Sequence, residues 1–440
     1  AKAHGKNAFL FVIVCVALDM LALGLFIPVM PQYLVEITGK PAEETVLMGG
    51  FLMFTFGVIN FLTMPIIGNL SDRFGRRPVL MVSIAGLCID FIIMGFAHSL
   101  FALFIGRALA GITSATYSTA NSYIADVTEP EDRGRAYGMI GAAFGFGFVI
   151  GPGIGGLLGS IDVRLPFFVA AGIAACNFLY GAFVLPESLD KENRRPFELR
   201  RANPFGALKH FSKLPKVGWF IVAVGIYAIS HAVFPATWSW HGDIRYDWSE
   251  AQIGFSLALV GIGSAVVQAM LAGRMTKTLG PTKTATIGLS VTIISMFLFA
   301  AAGYGWMAYL VLIVSSLGGV AQPAMQQLMT GVTPKNAQGE LQGALASVQS
   351  LMGVILGPLV MTGTLSYFSQ PDAPIHFEGA NFFLAGILAA MAMVPFLLGV
   401  RANREEVKEI DKEARAAEEP TGDPTEMDPS MGTSPAHADD

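Results

Sequence analysis

Long apolar runs alternate with short polar segments over most of the chain. Twelve of them reach 18 residues or more, at 8–30, 46–67, 79–97, 100–123, 136–158, 165–185, 217–238, 251–273, 283–302, 306–330, 339–366 and 380–400. A bilayer core of about 30 Å needs about 20 residues of helix, so each run is long enough to cross it. A membrane barrel would instead alternate polar and apolar at every second residue in short strands. The pattern predicts an all-α polytopic membrane protein with twelve transmembrane helices. The opening run, which holds Asp19 and Pro28, reads as a retained first span and not as a signal peptide.

The runs fall into two sets of six. Residues 1–185 and 217–400 are read as two helical bundles, 186–216 as a basic cytoplasmic linker, and 401–440 as an acidic, largely disordered cytoplasmic tail. The two sets echo each other. Gly68-Asn-Leu-Ser-Asp-Arg-Phe-Gly returns 205 residues later as Gly273-Arg-Met-Thr-Lys-Thr-Leu-Gly, and Gly134 and Gly138 return as Gly339 and Gly343. Gly151-Pro152 returns as Gly357-Pro358. Two pseudo-symmetric six-helix bundles form a transporter plan, with a substrate site between them near the membrane midplane.

Charge changes the picture in two ways. Only 14% of residues are charged, against about 25% in soluble proteins. Of the 28 lysines and arginines, 24 fall on the side that carries the N-terminus, which predicts both termini in the cytoplasm. The net charge of −5 comes from the tail, where 12 acids face 5 bases. Cys15, Cys88 and Cys176 all lie in apolar runs and make no disulfide framework. No metal cluster, nucleotide loop or nucleophile–base set is visible. No cofactor, enzyme activity or nucleic-acid partner is expected; the expected partners are protons, a small molecule and the lipid bilayer.

Ionisable side chains inside a membrane are costly to desolvate and mark candidate sites. They are Asp19, Asp90, Arg107 and His231; apart from Glu340 at the very start of 339–366, none of the predicted spans of the second half contains an acid. Asp19 is the first candidate for proton coupling, against a plain hydrogen bond between helices. Arg107 is a permanent cation that would pair with an acid, in an alternating contact or a static one. The uncharged polar candidates for substrate contact are Asn60, Tyr117, Asn121, Gln268, Gln322 and Gln326; bridging between helices is the alternative. Trp238 and Trp240, near a predicted membrane interface, read as an aromatic belt, with stacking on a flat ligand as the alternative.

Residues 68–78, Gly-Asn-Leu-Ser-Asp-Arg-Phe-Gly-Arg-Arg-Pro, resemble the signature loop of the major facilitator superfamily. Gly106-Arg-Ala-Leu-Ala-Gly-Ile-Thr resembles its fourth-helix motif, and Gly147-Phe-Val-Ile-Gly-Pro-Gly-Ile-Gly-Gly its fifth-helix antiporter motif. Leu18-Asp-Met-Leu-Ala-Leu-Gly resembles the first helix of drug/proton antiporters, and Ser122-Tyr-Ile-Ala-Asp-Val-Thr, Leu185-Pro-Glu-Ser and Leu341-Gln-Gly-Ala-Leu-Ala-Ser are similar to the bacterial tetracycline-efflux antiporters. The resemblance implies a proton-coupled secondary active transporter of the bacterial inner membrane, exporting a drug or tetracycline-like amphipathic molecule by alternating access. It implies a latch of Gly68, Asp72, Arg73, Gly75, Arg76 and Arg77, contacting the opposite half near the start of the eleventh helix in the outward-facing state. It also implies a rocking interface of Gly147, Gly151, Pro152, Gly155 and Gly156. The sequence departs from that subgroup where a histidine and an aspartate are expected, at Gly263–Ser264 and Thr292. Export of an endogenous metabolite or lipid-like compound, and a transporter-like scaffold of a membrane complex, are the alternatives.

Overall fold

The computed structural model describes residues 2–128, 133–197 and 216–416, apart from the side chains at 2–8, 117, 133–135, 137 and 335. Residues 198–215 of the expected linker, 417–440 of the expected tail and the Tyr117 side chain lie outside the described residues.

Twelve helices are long and apolar enough to cross a bilayer: α1 (Phe9–Thr38), α2 (Ala42–Phe74), α3 (Arg76–Phe96), α4 (Leu100–Val127), α5 (Gly138–Gly159), α6 (Leu165–Val184), α7 (Gly218–Tyr246), α8 (Glu250–Leu279), α9 (Pro281–Ala301), α10 (Gly305–Val332), α11 (Gln338–Ser369) and α12 (Ala380–Ala402). A thirteenth helix, α13 (Arg404–Ala416), follows without an apolar face long enough to span. No strand occurs among the described residues. Within the first bundle α1 packs on α5 and α6, and α3 on α4 and α6; within the second α12 packs on α7 and α9.

Several helices are interrupted, and the interruptions repeat. Pro28 and Pro31 remove backbone donors, and α1 passes through a 3₁₀ turn at Ile27–Val29 before continuing to Thr38. Its counterpart α7 breaks at Ala232, 205 positions after Ile27. α4 is interrupted at Ser114 and Ala115, and α10 winds through a 3₁₀ turn at Leu317–Val320. Gly75 (φ 108°) and Gly280 (φ 83°), also 205 apart, make the bends between α2 and α3 and between α8 and α9. Only glycine takes such angles without strain.

The bundles meet along one side only. Call the near side the one where α1 begins and residues 68–78 lie. The contacts between bundles run through the far halves of α5 and α8, of α2 and α11, and of α7 with α1 and α2. Of the glycine contacts between bundles, those farthest along from the far end are Gly57 against Val354 and Gly261 against Val149. Beyond them the bundles diverge, and the gap between them opens to the near side.

Two expectations are overturned in α7. The apolar run was read to end at 238, but the helix continues through Trp-Ser-Trp-His-Gly-Asp to Tyr246. Other helices take up several of its polar groups: Trp238 Nε1 donates to Ser256 Oγ (2.8 Å) and Ser239 Oγ to the Ile27 carbonyl (3.0 Å). Trp238 and Trp240 are therefore core residues, 2% and 4% exposed, and form no interfacial belt. The extension also brings an acid, Asp243, into a second-half spanning helix, where none was expected.

Candidate functional site

Asp19 lies at mid-span in α1 and is 2% exposed. Asn177 of α6 donates its amide to Asp19 Oδ1 (2.9 Å) and to the Cys15 carbonyl (3.1 Å). The Thr116 hydroxyl is the other hydrogen-bond partner. Both partners are neutral, and no cation pairs with Asp19 among the described residues. Thr116 reaches it because α4 restarts there after its interruption. That interruption leaves carbonyls without helical partners, which neighbouring side chains satisfy. Asn60 Nδ2 of α2 donates to Ser114 O (3.0 Å), and Thr63 Oγ1 to Gly111 O (3.0 Å). Asn60, read as a substrate contact, thus has its amide nitrogen engaged in stapling α2 to α4.

Asp90 and Arg107 pair with each other in a charged hydrogen bond between α3 and α4. Asp90 is 0% exposed. Gly106 leaves room for its carboxylate against α4. The Arg107 guanidinium also lies over the Phe26 ring, 5.1 Å from its centroid. The structure assigns the cation to Asp90 and leaves Asp19 without one. His231 stands one residue before the break in α7. Its ring stacks on Tyr227 (5.5 Å, 16°), meets Phe234 edge-on (5.4 Å), and stays solvent-accessible.

The polar candidates scatter. Gln326 Nε2 donates to Gln342 Oε1 (3.1 Å), joining α10 to α11. Gln268 lies in a π turn of α8 (Val267–Ala272) and lines a near-side cavity of about 420 Å³ with Thr276, Lys277 and Gln327. Gln322 is exposed on α10, and Asn121 is half-buried on α4. Gln268 and Gln326 line two different cavities.

The loop at 68–78 turns inward on its own bundle. Arg76 bonds Asp72 (2.6 Å) and Asp126 (3.0 Å). Arg77 donates to the Ala182 carbonyl (2.7 Å), while Arg73 lies over Phe74. The carboxylate of Glu187, just after α6, accepts from the backbone N–H of Arg76 (2.7 Å) and Arg77 (3.3 Å). The second half repeats this device with different residues. Asp411 of α13 accepts from the Thr282 N–H (3.0 Å), and Arg415 donates to the Leu279 carbonyl (2.8 Å). In both halves a carboxylate caps the start of the helix that follows the left-handed glycine. A lost backbone bond of this kind costs about 0.5–1.5 kcal/mol. Asp411→Ala should accordingly speed tryptic cleavage at Lys277 and Lys283 several-fold, with the global melting temperature little changed.

α5 packs on α1 of its own bundle and on α8 of the other. Gly147, Gly151 and Gly155 recur every four residues and press its backbone onto α1. Gly156 faces the other way, onto the Glu250 backbone of α8, beside the contact of Gly254 with the Pro152 carbonyl. Of the motif glycines, Gly147, Gly151 and Gly155 thus serve packing within the first bundle, and Gly156 lies in a contact between the bundles. A sequence model of the Major Facilitator Superfamily matches residues 12–355 and, in an overlapping second match, 243–426. This chain belongs to the Major Facilitator Superfamily. The class C tetracycline resistance protein of Escherichia coli is 39% identical over 357 residues, 81% of this chain and 89% of that protein. The class G tetracycline resistance protein of Vibrio anguillarum is 35% identical over 82% of this chain and 91% of its own. A bacterial homologue of the human lysosomal transporter Spinster shares the fold, with a TM-score of 0.74 at 16% identity over 92% of this chain and 99% of its own.

As a superfamily transporter, the protein must part and rejoin its bundles, and the glycine row predicts where a side chain would block that. In Gly156→Leu the new side chain meets the Glu250 backbone only when the far side is closed. Overpacking costs about 1–3 kcal/mol. Labelling of a cysteine placed at Ser239 by a far-side reagent should rise accordingly.

Three groups at these sites escaped the sequence reading. Asn177 was detectable as the lone amide in a very apolar run. Asp243 was hidden by the acid-rich segment that follows α7. His241, fully buried against Phe382 (4.8 Å), was assigned to a loop. At the position where the tetracycline subgroup was expected to carry an acid, Thr292 pairs with the Tyr227 hydroxyl.

Proposed function

We propose that this protein is a proton-coupled exporter of a small amphipathic molecule, drug-like or tetracycline-like, in a bacterial inner membrane with both termini in the cytoplasm. The observation that carries the reading is Asp19: a mid-span carboxyl held by two neutral partners, in a chain 39% identical to a tetracycline resistance protein. A carboxyl without a cation can bind and release a proton without breaking an ion pair. Protonation then changes the relative stability of two bundle arrangements, which is the requirement for coupling.

With the near side cytoplasmic, the structure is inward-facing. The loop at 68–78 is then in its released form, held by Asp126 and Glu187, and its contact with α11 belongs to the opposite state. Asp90 and Arg107 serve as a fixed brace between α3 and α4 in this reading. His231 and Tyr227 form part of the cavity wall. Gly156 and Pro152 of α5, against Glu250 and Gly254 of α8, lie in the surface on which the bundles rock.

Uptake of a labelled tetracycline and a panel of cationic amphipathic drugs into inverted vesicles, driven by an imposed pH gradient, tests the proposal. Accumulation that collapses with the gradient supports it. Vesicles that accumulate nothing in the panel under any gradient would count against export, and accumulation independent of the gradient would count against proton coupling.

A further inference from the structure

The direct hydrogen bonds across the far-side seam between the bundles are mostly made by uncharged groups. Trp240 Nε1 donates to Thr45 Oγ1 (3.3 Å), Ser366 Oγ to the Glu43 carbonyl (2.8 Å) and Ser239 to Ile27. One ionisable side chain bonds directly across it. Gln32 Nε2 of α1 donates to Asp243 Oδ1 of α7 at 2.8 Å. Asp243 is half-buried and has no cationic partner among the described residues.

Its charged surroundings are acidic on every side. Glu43 faces it from α2, on the opposite bundle; Glu250 faces it from the start of α8, and Asp247 from the turn that ends α7. Arg245, the nearby cation on the same helix, is turned away to the Ala300 and Ala302 carbonyls and to Glu378 (3.7 Å). His241 is packed on Phe382 of α12. On α1 the acid Glu36 is already paired with Arg164 (2.8 Å). Lys40, in the α1–α2 turn, is paired with Glu44 (2.9 Å).

We propose that Asp243 is the group through which far-side acidity closes the outer gate. As a carboxylate it adds a negative charge to a seam that already brings Glu43 of one bundle towards Glu250 of the other. Like charges oppose that approach. As a neutral carboxyl it removes the repulsion and keeps its hydrogen bond to Gln32. Protonation from the far side therefore favours the closed seam, and loss of the proton favours opening. Asp243 is a positioning residue here: it biases the bundles, while Asp19 remains the coupling carboxyl. That the far side is the outer one rests on the orientation proposed above.

The test reads the seam directly and uses no substrate. Spin labels are placed at two exposed far-side positions, Lys40→Cys and Asp372→Cys, in the full chain with Cys15, Cys88 and Cys176 replaced by alanine. Distances are measured in lipid nanodiscs between pH 5 and 9. The closed-to-open ratio should fall about tenfold as pH rises, the size expected of one charge repelling another near a protein surface. Asp243→Asn should hold the short distance at every pH, and Asp243→Glu should restore the response. An Asn variant that follows wild type, or a wild-type seam indifferent to pH, would overturn the proposal. A Glu variant that is folded but unresponsive would do the same. Because both faces of a nanodisc are open, neither orientation nor transport enters the result. An error in the proposed orientation would show separately, in which face of sealed vesicles admits a thiol reagent to these positions.

Discussion

Asp19→Asn should abolish uphill efflux while leaving substrate exchange in place. Asparagine has nearly the shape of aspartate and can keep hydrogen bonds to Asn177 and Thr116, so the junction of α1, α4 and α6 should survive. What it lacks is a second protonation state. Without one, a proton gradient has nothing to act on at this position, and the two bundle arrangements differ by a fixed amount. Coupling free energies of about 1–3 kcal/mol correspond to factors of about 5–150, and gradient-driven accumulation should fall by a factor in that range or to background. Counterflow, in which labelled substrate exchanges with unlabelled substrate at zero gradient, should stay within a few-fold of wild type. Uphill transport at the wild-type level would remove Asp19 from the mechanism. Loss of both activities, with a melting temperature unchanged, would place Asp19 in substrate binding instead.

Much of the architecture was legible because lipid imposes a length and a composition on every spanning segment. The runs located all twelve helices, and the 205-residue echo that divided the chain into two sets reappears in the paired helix breaks and in the bends at Gly75 and Gly280. Helix ends were less legible. The end of α7 was missed because Trp-Ser-Trp-His-Gly-Asp reads as interface by composition alone, whereas in three dimensions Ser256, Thr45 and Ile27 take up the polar atoms of Trp238, Trp240 and Ser239. The same omission hid Asp243. Pairing was also beyond a linear reading. Arg107 could have served Asp19 or Asp90, and only the crossing of α3 over α4 at Gly106 decides for Asp90. The amides were the least legible of all. Asn60 in an apolar helix looks like a ligand contact until the interruption of α4 reveals a carbonyl that needs it.

The glycine row and the loop show how one motif can serve two packings. Gly147, Gly151 and Gly155 hold α5 to α1 within a bundle, while Gly156 lets the next bundle approach. The loop at 68–78 is held by Glu187 in this state, and its echo by Asp411 on α13. Each bundle therefore caps its own near-side bend with an acid that follows its last spanning helix. The bundles can separate on this side without leaving either bend unsupported.

Breaking the Asp90–Arg107 pair from one side should destabilise the protein more than any other single change considered. Asp90 is fully buried, and one of its oxygens and the Arg107 Nε have no further hydrogen-bond partner among the described residues. The arginine therefore supplies most of what compensates the burial of the acid. Arg107→Ala leaves a carboxylate with no cation in the membrane interior, and Asp90→Ala leaves a guanidinium with no anion. Removing one partner of a buried pair costs about 3–5 kcal/mol, whereas replacing both by neutral groups is often close to neutral. Each single variant should consequently lower the melting temperature in detergent sharply and reduce the folded yield. The double variant Asp90→Asn/Arg107→Gln should recover most of that loss. The double variant also separates brace from relay. If the pair only holds α3 to α4, gradient-driven transport returns together with stability. If the ions must part and rejoin during the cycle, the double variant folds but exchanges substrate without accumulating it. The geometry favours the first outcome, because both partners lie within one bundle, on helices that cross at Gly106, and the far-side seam can open without separating them.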